Sequence, residues 1–151
     1  MSQHTTDYVS AVNDVIGICK DAEQGFSGAA SAVEDPGLKS LFEEYSRQRA
    51  QFTSELEAGV RRLHGNPSEP SGFAGKAHSA WMAIKGMVTG HSPHQILEET
   101  ERGEDMSIKR YQEALNADLP NEIRSMLESQ YREVQTAHAR IRALRDGAAR
   151  G

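Results

Sequence analysis

The sequence predicts an all-α fold, an up-down four-helix bundle of two helical hairpins joined by a long crossover. Apolar residues recur at spacings of three and four along four long segments, which is the pattern of amphipathic helices. No segment alternates between apolar and polar residues over the length of a strand, so we expect no sheet. The chain of 151 residues suits one domain, which we predict over residues 1–151 with its core over about 5–146.

The first two predicted helices form a hairpin. Their apolar positions run over residues 8–33 and 38–63, and the short segment EDPG separates them. Asp35 can cap the N-terminus of the second helix, with Pro36 at its first position. The second helix ends at HGNPSEPSG, where glycine and proline interrupt the apolar pattern.

A connection of about thirty residues leads to the second hairpin. Ser92 and Pro93 predict the start of the third long helix, and NADLPNE is the turn into the fourth, which ends in a tail, RDGAARG, that we expect to be frayed. A helix of about 25 residues is roughly 37 Å long. The connection is long enough to span that length, and ferritin-like bundles have one such crossover.

The connection contains a weaker apolar pattern, which predicts a short extra helix between the second and third long helices. Its segment AHSAWMAIKGMVTG carries Trp81, Met82, Ile84, Met87 and Val88. These side chains either cover the end of the bundle core or pack against a second subunit. The second alternative would make the protein an interaction module, and we keep a homo-oligomer as a possible assembly.

Each long helix also places a polar residue in its apolar stripe. The first three helices contribute Glu23, Arg49 and Glu104, with Glu101 one turn before Glu104, and the fourth contributes His138. A buried charge without a partner costs several kcal/mol. We therefore expect acids from two helices to face the Arg49 guanidinium.

Counting residues from the two turns indicates which of these positions share a level. Glu23 and Arg49 are about equally far from the first turn, and the two acids of the third helix lie level with Gln130 and Glu133. The predicted structural polar cluster comprises Glu23, Arg49, Glu101, Glu104, Gln135 and His138.

Five sequence segments together resemble a known family. They are CKDAEQGF, LFEEYSRQRAQFTSEL, HSAWMAIKGMVTG, ILEETERGEDMSIKRYQEAL and AHARIRALRD. This set resembles the ferritin-like four-helix-bundle family of bacterial proteins known as domain of unknown function 2383, from about residue 7 to 147. The resemblance implies a ferritin-like fold and a bacterial origin. Relatives with this bundle include di-iron oxidases, rubrerythrins and stress-associated proteins.

The di-iron template takes one Glu from each of two helices and a Glu-x-x-His motif from each of the other two. Glu23 matches one single Glu, and Glu101 or Glu104 matches the other. Gln135 and His138 stand where one Glu-x-x-His motif would be, and Arg49 and Phe52 stand where the other would be. The resemblance therefore implies a degenerate di-iron site.

Two hypotheses follow for this site. The first is a salt-bridge network that fixes the helix register in a non-enzymatic protein with no cofactor and no catalytic residues, a stress-associated scaffold or interaction protein. The alternative is an iron or manganese site of a ferritin-like oxidase or storage protein. Its ligands would be Glu23, Glu101, Glu104, Glu133 and His138.

Composition argues against several other classes of function. The net charge is -5 and the pI is about 5.7, so we expect neither nucleic acid nor an anionic membrane as a partner. Cys19 is the single cysteine, which excludes a disulfide within the chain and favours a reducing compartment. The N-terminus has no basic and apolar regions of a signal peptide, so we expect a cytoplasmic protein.

Overall fold

The structure is a computed structural model that describes residues 3–67, 75–87 and 91–150. These residues form α-helices and their connections without any strand, which confirms the predicted all-α class. No helix in this described part is both long enough and apolar enough to cross a membrane. In chain order the helices are α1 (Gln3–Ala32), α2 (Pro36–Arg62), α3 (Gly75–Lys85), α4 (Pro93–Leu115) and α5 (Asn121–Arg150).

Side-chain caps begin two of the helices at the predicted positions. The Asp35 carboxylate accepts a hydrogen bond from the backbone N–H of Leu38 at 2.8 Å, and Pro36 is the first residue of α2. At the start of α4, the Ser92 hydroxyl accepts from the Gln95 N–H at 3.1 Å, and the Gln95 side chain accepts from the Ser92 N–H at 3.0 Å. These bonds satisfy N–H groups that have no partner within the helix.

The long helices form two hairpins, α1 with α2 and α4 with α5. Helix α1 also packs along α4, whereas α2 and α5 pack together less closely. The start of α4 lies beside the end of α1, because Pro93 and Val33 line the same small cavity. Helix α4 therefore runs antiparallel to α1, and the end of α2 and the start of α4 lie at opposite ends of the bundle. This is the predicted topology, with α3 as the short helix in the crossover.

Two clusters of buried apolar side chains form the core, one toward each end of the bundle. The first includes Phe26, Trp81 and Ile141, and the second includes Phe52 and Leu127. Full burial of one large apolar side chain stabilises a fold by about 1.5–3 kcal/mol. The level between the two clusters is where the polar residues of the candidate site lie.

Trp81 of α3 fits into a notch that two glycines leave on α1 and α4. A Cβ atom on Gly103 would lie 2.7 Å from the indole ring, and one on Gly25 would lie 2.3 Å from it. The indole is fully buried, its centroid lies 4.9 Å from that of the Phe26 ring, and its Nε1–H donates to the Ser107 hydroxyl at 3.3 Å. Only glycine allows the helices to approach the ring so closely.

The apolar face of α3 is therefore part of the core. Ile84 is fully buried, and Met82 and Met87 are half-buried against the same cluster. Of the two alternatives for this segment, the described side chains support coverage of the core. Val88 lies outside the described residues. A second subunit stays a prediction, and its support must come from another surface.

Helix α5 continues to Arg150, over the segment for which we expected a frayed tail. Leu144 and Ala148 pack partly buried against the first core cluster. Because these contacts stabilise the last turns, Gly147 does not end the helix despite its low helix propensity.

Candidate functional site

An ion pair between Arg49 of α2 and Glu104 of α4 lies between the two apolar clusters. The guanidinium donates from Nη1 to Oε1 and from Nη2 to Oε2 of the carboxylate, both at 2.6 Å. Arg49 is 1% exposed and Glu104 is 0% exposed. Two parallel charge-assisted hydrogen bonds are the strongest geometry available to such a pair. The sequence prediction that Glu104 faces Arg49 agrees with this arrangement.

The Arg49 guanidinium has other contacts besides Glu104. Its Nε–H donates to the Gln48 side-chain oxygen at 3.1 Å. The central guanidinium carbon, Cζ, lies 5.2 Å from the centroid of the Phe26 ring and 6.0 Å from that of the Phe52 ring. Burial by itself would lower the pKa of this guanidinium. The charge and hydrogen bonds of the Glu104 carboxylate raise the pKa by more than burial lowers it, so the pKa lies above its ordinary value. Arg49 therefore remains a cation, and the pair as a whole is neutral.

A chain of hydrogen-bonded polar side chains continues from this level. The Cys19 thiol and the Tyr111 hydroxyl lie 3.3 Å apart, and the Tyr111 hydroxyl donates to the Gln130 side-chain oxygen at 2.7 Å. The Gln130 amide then donates to the Glu55 carboxylate at 3.0 Å, near the surface. Gln130 was predicted to lie near the cluster, whereas the partners of Tyr111 were not predicted.

Burial determines whether Cys19 and Tyr111 are protonated. It raises the pKa of Cys19 to about 11, although the hydrogen bond with Tyr111 opposes the shift. Burial also raises the pKa of Tyr111 well above its ordinary value. Both groups are protonated at neutral pH, and a protonated, fully buried thiol is a poor nucleophile. Cys19 is therefore a core residue.

The remaining predicted members of the cluster lie elsewhere. Within the described part of the chain, no hydrogen bond or ion pair joins the Glu23 side chain to Arg49. Glu23 is half-buried and lines a polar groove with Lys85, because its neighbour Ala22 takes the fully buried position on α1. The prediction that Glu23 pairs with Arg49 was wrong.

On α5, Glu133 and Gln135 are exposed, because Val134 and Ala137 take the inward positions of that turn. Neither side chain is near enough to the buried pair to appear among its hydrogen-bond or ion-pair partners in the described structure. Their predicted places, as a metal ligand and as a member of the polar cluster, were wrong.

Glu101 and His138 do come together, but in a separate cluster between α4 and α5. His138 Nε2 lies 3.8 Å from Glu101 Oε2 and 2.7 Å from Asp105 Oδ1. Two guanidinium groups also approach Glu101, with Arg145 Nη1 at 2.5 Å and Arg142 Nε at 3.7 Å. Asp105 was not predicted as a member of this cluster, although its position one turn after Glu101 was a signal that could have identified it.

The bundle centre does not fit a pair of metal ions. A di-metal centre needs carboxylate and imidazole ligands with free oxygen or nitrogen atoms. At this level both Glu104 oxygens already accept hydrogen bonds from the Arg49 guanidinium. A cation at the same place would meet a fixed positive charge, and Glu23 and Glu133 are not positioned to neutralise it. The residues present form a closed ion pair, which supports structure rather than metal chemistry.

Similarity to a solved structure shows the fold. The chain is similar to a two-domain protein from Anabaena variabilis that contains DJ-1/ThiJ/PfpI-like and ferritin-like domains, with a TM-score of 0.77 and 15% sequence identity. The similarity covers 95% of this chain but 40% of that protein. The fold is therefore ferritin-like, and at this identity the similarity shows nothing further about function.

Comparison with protein families extends this result. No match is found among curated proteins. Residues 7–117 match the family described as "Domain of unknown function (DUF2383)", which agrees with the motifs that predicted this relationship. Since the match extends over more than half of the chain, the chain belongs to the DUF2383 family.

Proposed function

We propose that this protein is a non-catalytic ferritin-like bundle that serves as a binding scaffold. The observation that carries the proposal is the buried Arg49–Glu104 pair, which takes the level where a di-metal centre would need open ligands. Without such a centre, the oxidase and storage chemistry of the alternative hypothesis has no site in the core. A stress-associated role stays a prediction, because it rests on the resemblance and on no contact within the molecule.

Energetic considerations support a closed centre. Admission of a cation would require Arg49 to leave Glu104, Gln48 and the faces of two Phe rings. Removal of one partner from a buried ion pair costs about 3–5 kcal/mol. A metal ion would have to offset this loss with a single inward carboxylate, whereas di-metal centres use four carboxylates and two imidazoles.

An aerobic iron(II) oxidation assay tests the non-catalytic part of the proposal. The purified full-length protein, first stripped of metal, is given iron(II) and then oxygen, and the appearance of iron(III) is followed. We expect oxidation at the rate of buffer alone. Oxidation that is faster than buffer and scales with protein concentration would contradict the proposal.

A groove between α2 and α5 offers the binding surface. It has a volume of about 610 Å³, and its apolar lining includes Leu38, Leu41 and Leu144. Its two walls carry opposite charges, Glu44 on α2 and Arg140 on α5, and both side chains are exposed. Neither makes an ion pair within the described structure.

These charges favour a second copy of the same chain as the occupant. In a two-fold dimer, the same patch faces itself. Glu44 of one copy can then face Arg140 of the other, twice, while the leucines of both grooves exclude water. Self-association through this groove therefore pairs charges that the single chain leaves unpaired.

The molar mass in solution, measured by light scattering over a range of concentrations, tests whether a second copy of the chain binds in this groove. We expect dimers for the wild type and monomers for Leu41→Glu, which places a charge in the apolar lining. Ser54→Glu, at an exposed position of the same helix, is the matched control and should leave the dimer intact. A wild-type monomer at all concentrations would refute the dimer without reopening the metal question.

A further inference from the structure

We propose that Glu101, Asp105 and His138 form a binding site for one divalent transition-metal ion on the α4–α5 surface. This site is distinct from the buried centre and independent of the scaffold function. Each residue offers one ligand atom, and these three atoms lie within 4.8 Å of one another. Glu101 and Asp105 are four residues apart on α4, so their side chains point from the same face toward His138 on α5.

Only a small adjustment would bring the three atoms onto one ion. Zinc–ligand bonds are about 2.0–2.2 Å, so ligands of a tetrahedral ion lie roughly 3.3–3.6 Å apart. His138 Nε2 and Asp105 Oδ1 are already 2.7 Å apart, and His138 Nε2 is 3.8 Å from Glu101 Oε2. The ion would enter between these atoms and replace the direct contact of the imidazole with Asp105.

Glu101 is the most buried of the three proposed ligands. The residue is 7% exposed, and its buried Oε1 atom accepts no hydrogen bond of normal geometry. Arg145 Nη1 lies 2.5 Å from this oxygen and holds it in an ion pair. The other oxygen, Oε2, lies 3.8 Å from His138 Nε2 and is the one that an ion at this site would meet.

Arg145 is the competitor for this carboxylate, and it has another partner. Its Nη2 donates to Asp146 at 3.1 Å, so the guanidinium keeps an ion pair when it leaves Glu101. Arg142, the second cation near Glu101, is 62% exposed and can turn into solvent. In the cation-free protein, Arg145 therefore closes a site that a divalent ion would open.

The donor set indicates the class of ion. Two carboxylates and one imidazole suit zinc, manganese or iron(II), and a site with three protein ligands leaves a position for water. Asp105 has 61% of its side chain exposed, so the ion would have access from solvent. We choose zinc as the probe, because it binds such ligands more tightly than manganese or iron(II).

Calorimetric titration of the metal-free full-length protein with zinc at neutral pH tests this proposal. We expect one site per chain in the wild type. His138→Ala, Asp105→Asn and Glu101→Gln should each weaken binding by more than about 10-fold. Arg145→Ala should tighten binding, because it removes the competing cation, whereas a zinc ion held by a lone surface histidine would not respond.

His78 provides a matched control. Its Nδ1 lies 3.0 Å from Asp21, in an exposed pair that lacks a third ligand among the described residues. His78→Ala should leave the affinity unchanged. Circular dichroism before each titration checks that Glu101→Gln, which alters a buried group, is folded. If Glu101→Gln does not fold, Asp105→Asn still tests the site, because Asp105 is exposed and its substitution should not disturb folding. Absence of saturable zinc binding, or an isotherm of His138→Ala that equals the wild type, would overturn the proposal.

Discussion

Arg49→Met should be among the most destabilising single substitutions in this protein. It removes both 2.6 Å hydrogen bonds to Glu104 and leaves that fully buried carboxylate without its counter-charge. Breaking a buried pair from one side costs about 3–5 kcal/mol. At roughly 2–4 °C per kcal/mol for a domain of this size, the melting temperature should fall by roughly 6–20 °C.

The double variant Arg49→Met, Glu104→Met separates the value of the pair from the cost of leaving one charge buried. Both side chains are then apolar and close to the original volume. Replacement of a buried pair by apolar residues is often neutral or stabilising by about 1–4 kcal/mol. We therefore expect the double variant to be more stable than either single variant, with a stability near or above that of the wild type.

Urea unfolding followed by circular dichroism measures these free energies, and the slope with urea checks that the denatured state is unchanged. The exposed pair Arg62–Glu122 joins α2 to α5, whereas the buried pair joins α2 to α4, and it serves as the control. Arg62→Met should cost less than about 1 kcal/mol, since exposed pairs contribute about 0.2–1 kcal/mol. A loss below 1 kcal/mol for Arg49→Met, or additive losses in the double variant, would refute the reasoning.

Two further predictions concern packing and pH. Gly103→Ala should destabilise by about 1–3 kcal/mol, because its Cβ would lie 2.7 Å from Trp81, whereas Gly17→Ala, with no atom within 4 Å, should stabilise by about 0.5–1 kcal/mol. Equal unfolding free energies of the two variants would contradict this account. Cys19 has its pKa raised from 9.0 to about 11, so the unfolded chain loses its proton first and stability falls as pH rises from 9 to 11. The loss in the free energy of unfolding should be about 2–3 kcal/mol. Urea unfolding at several pH values should show that the stability of Cys19→Ala falls less between pH 9 and 11 than that of the wild type. An equal fall in both proteins would argue against a buried, protonated thiol.

The helical period predicted the features that depend on which face of a helix is buried. Arg49 and Glu104 lie in the apolar stripes of their helices, and two charges of opposite sign at one level of a bundle must pair. The period could not resolve Glu23, because Ala22 beside it is also compatible with the stripe and is the smaller, apolar choice. A difference of one position along the helix is enough to place a carboxylate in a surface groove instead of the core.

Features that depend on contacts between helices could not be read from the sequence. Gly25 and Gly103 look like weak points in a helical pattern, and only their distance to the Trp81 ring shows that they form a notch. Similarly, the pairing of His138 with Asp105 depends on the offset of α4 against α5 along the bundle. Counting residues from the connection between these helices predicts that offset only to within one helical turn. The sequence predicted that His138 lies near Glu101, but not that Asp105 is its closest partner.

Anomalous X-ray scattering from crystals soaked in manganese(II) tests most directly whether a guanidinium and a carboxylate close the middle of this bundle. We predict no anomalous peak within bonding distance of Glu104, and continuous density that joins Arg49 to both carboxylate oxygens. A peak at the α4–α5 surface would be compatible with this result. A peak beside Glu104, with the Arg49 side chain displaced, would contradict the account.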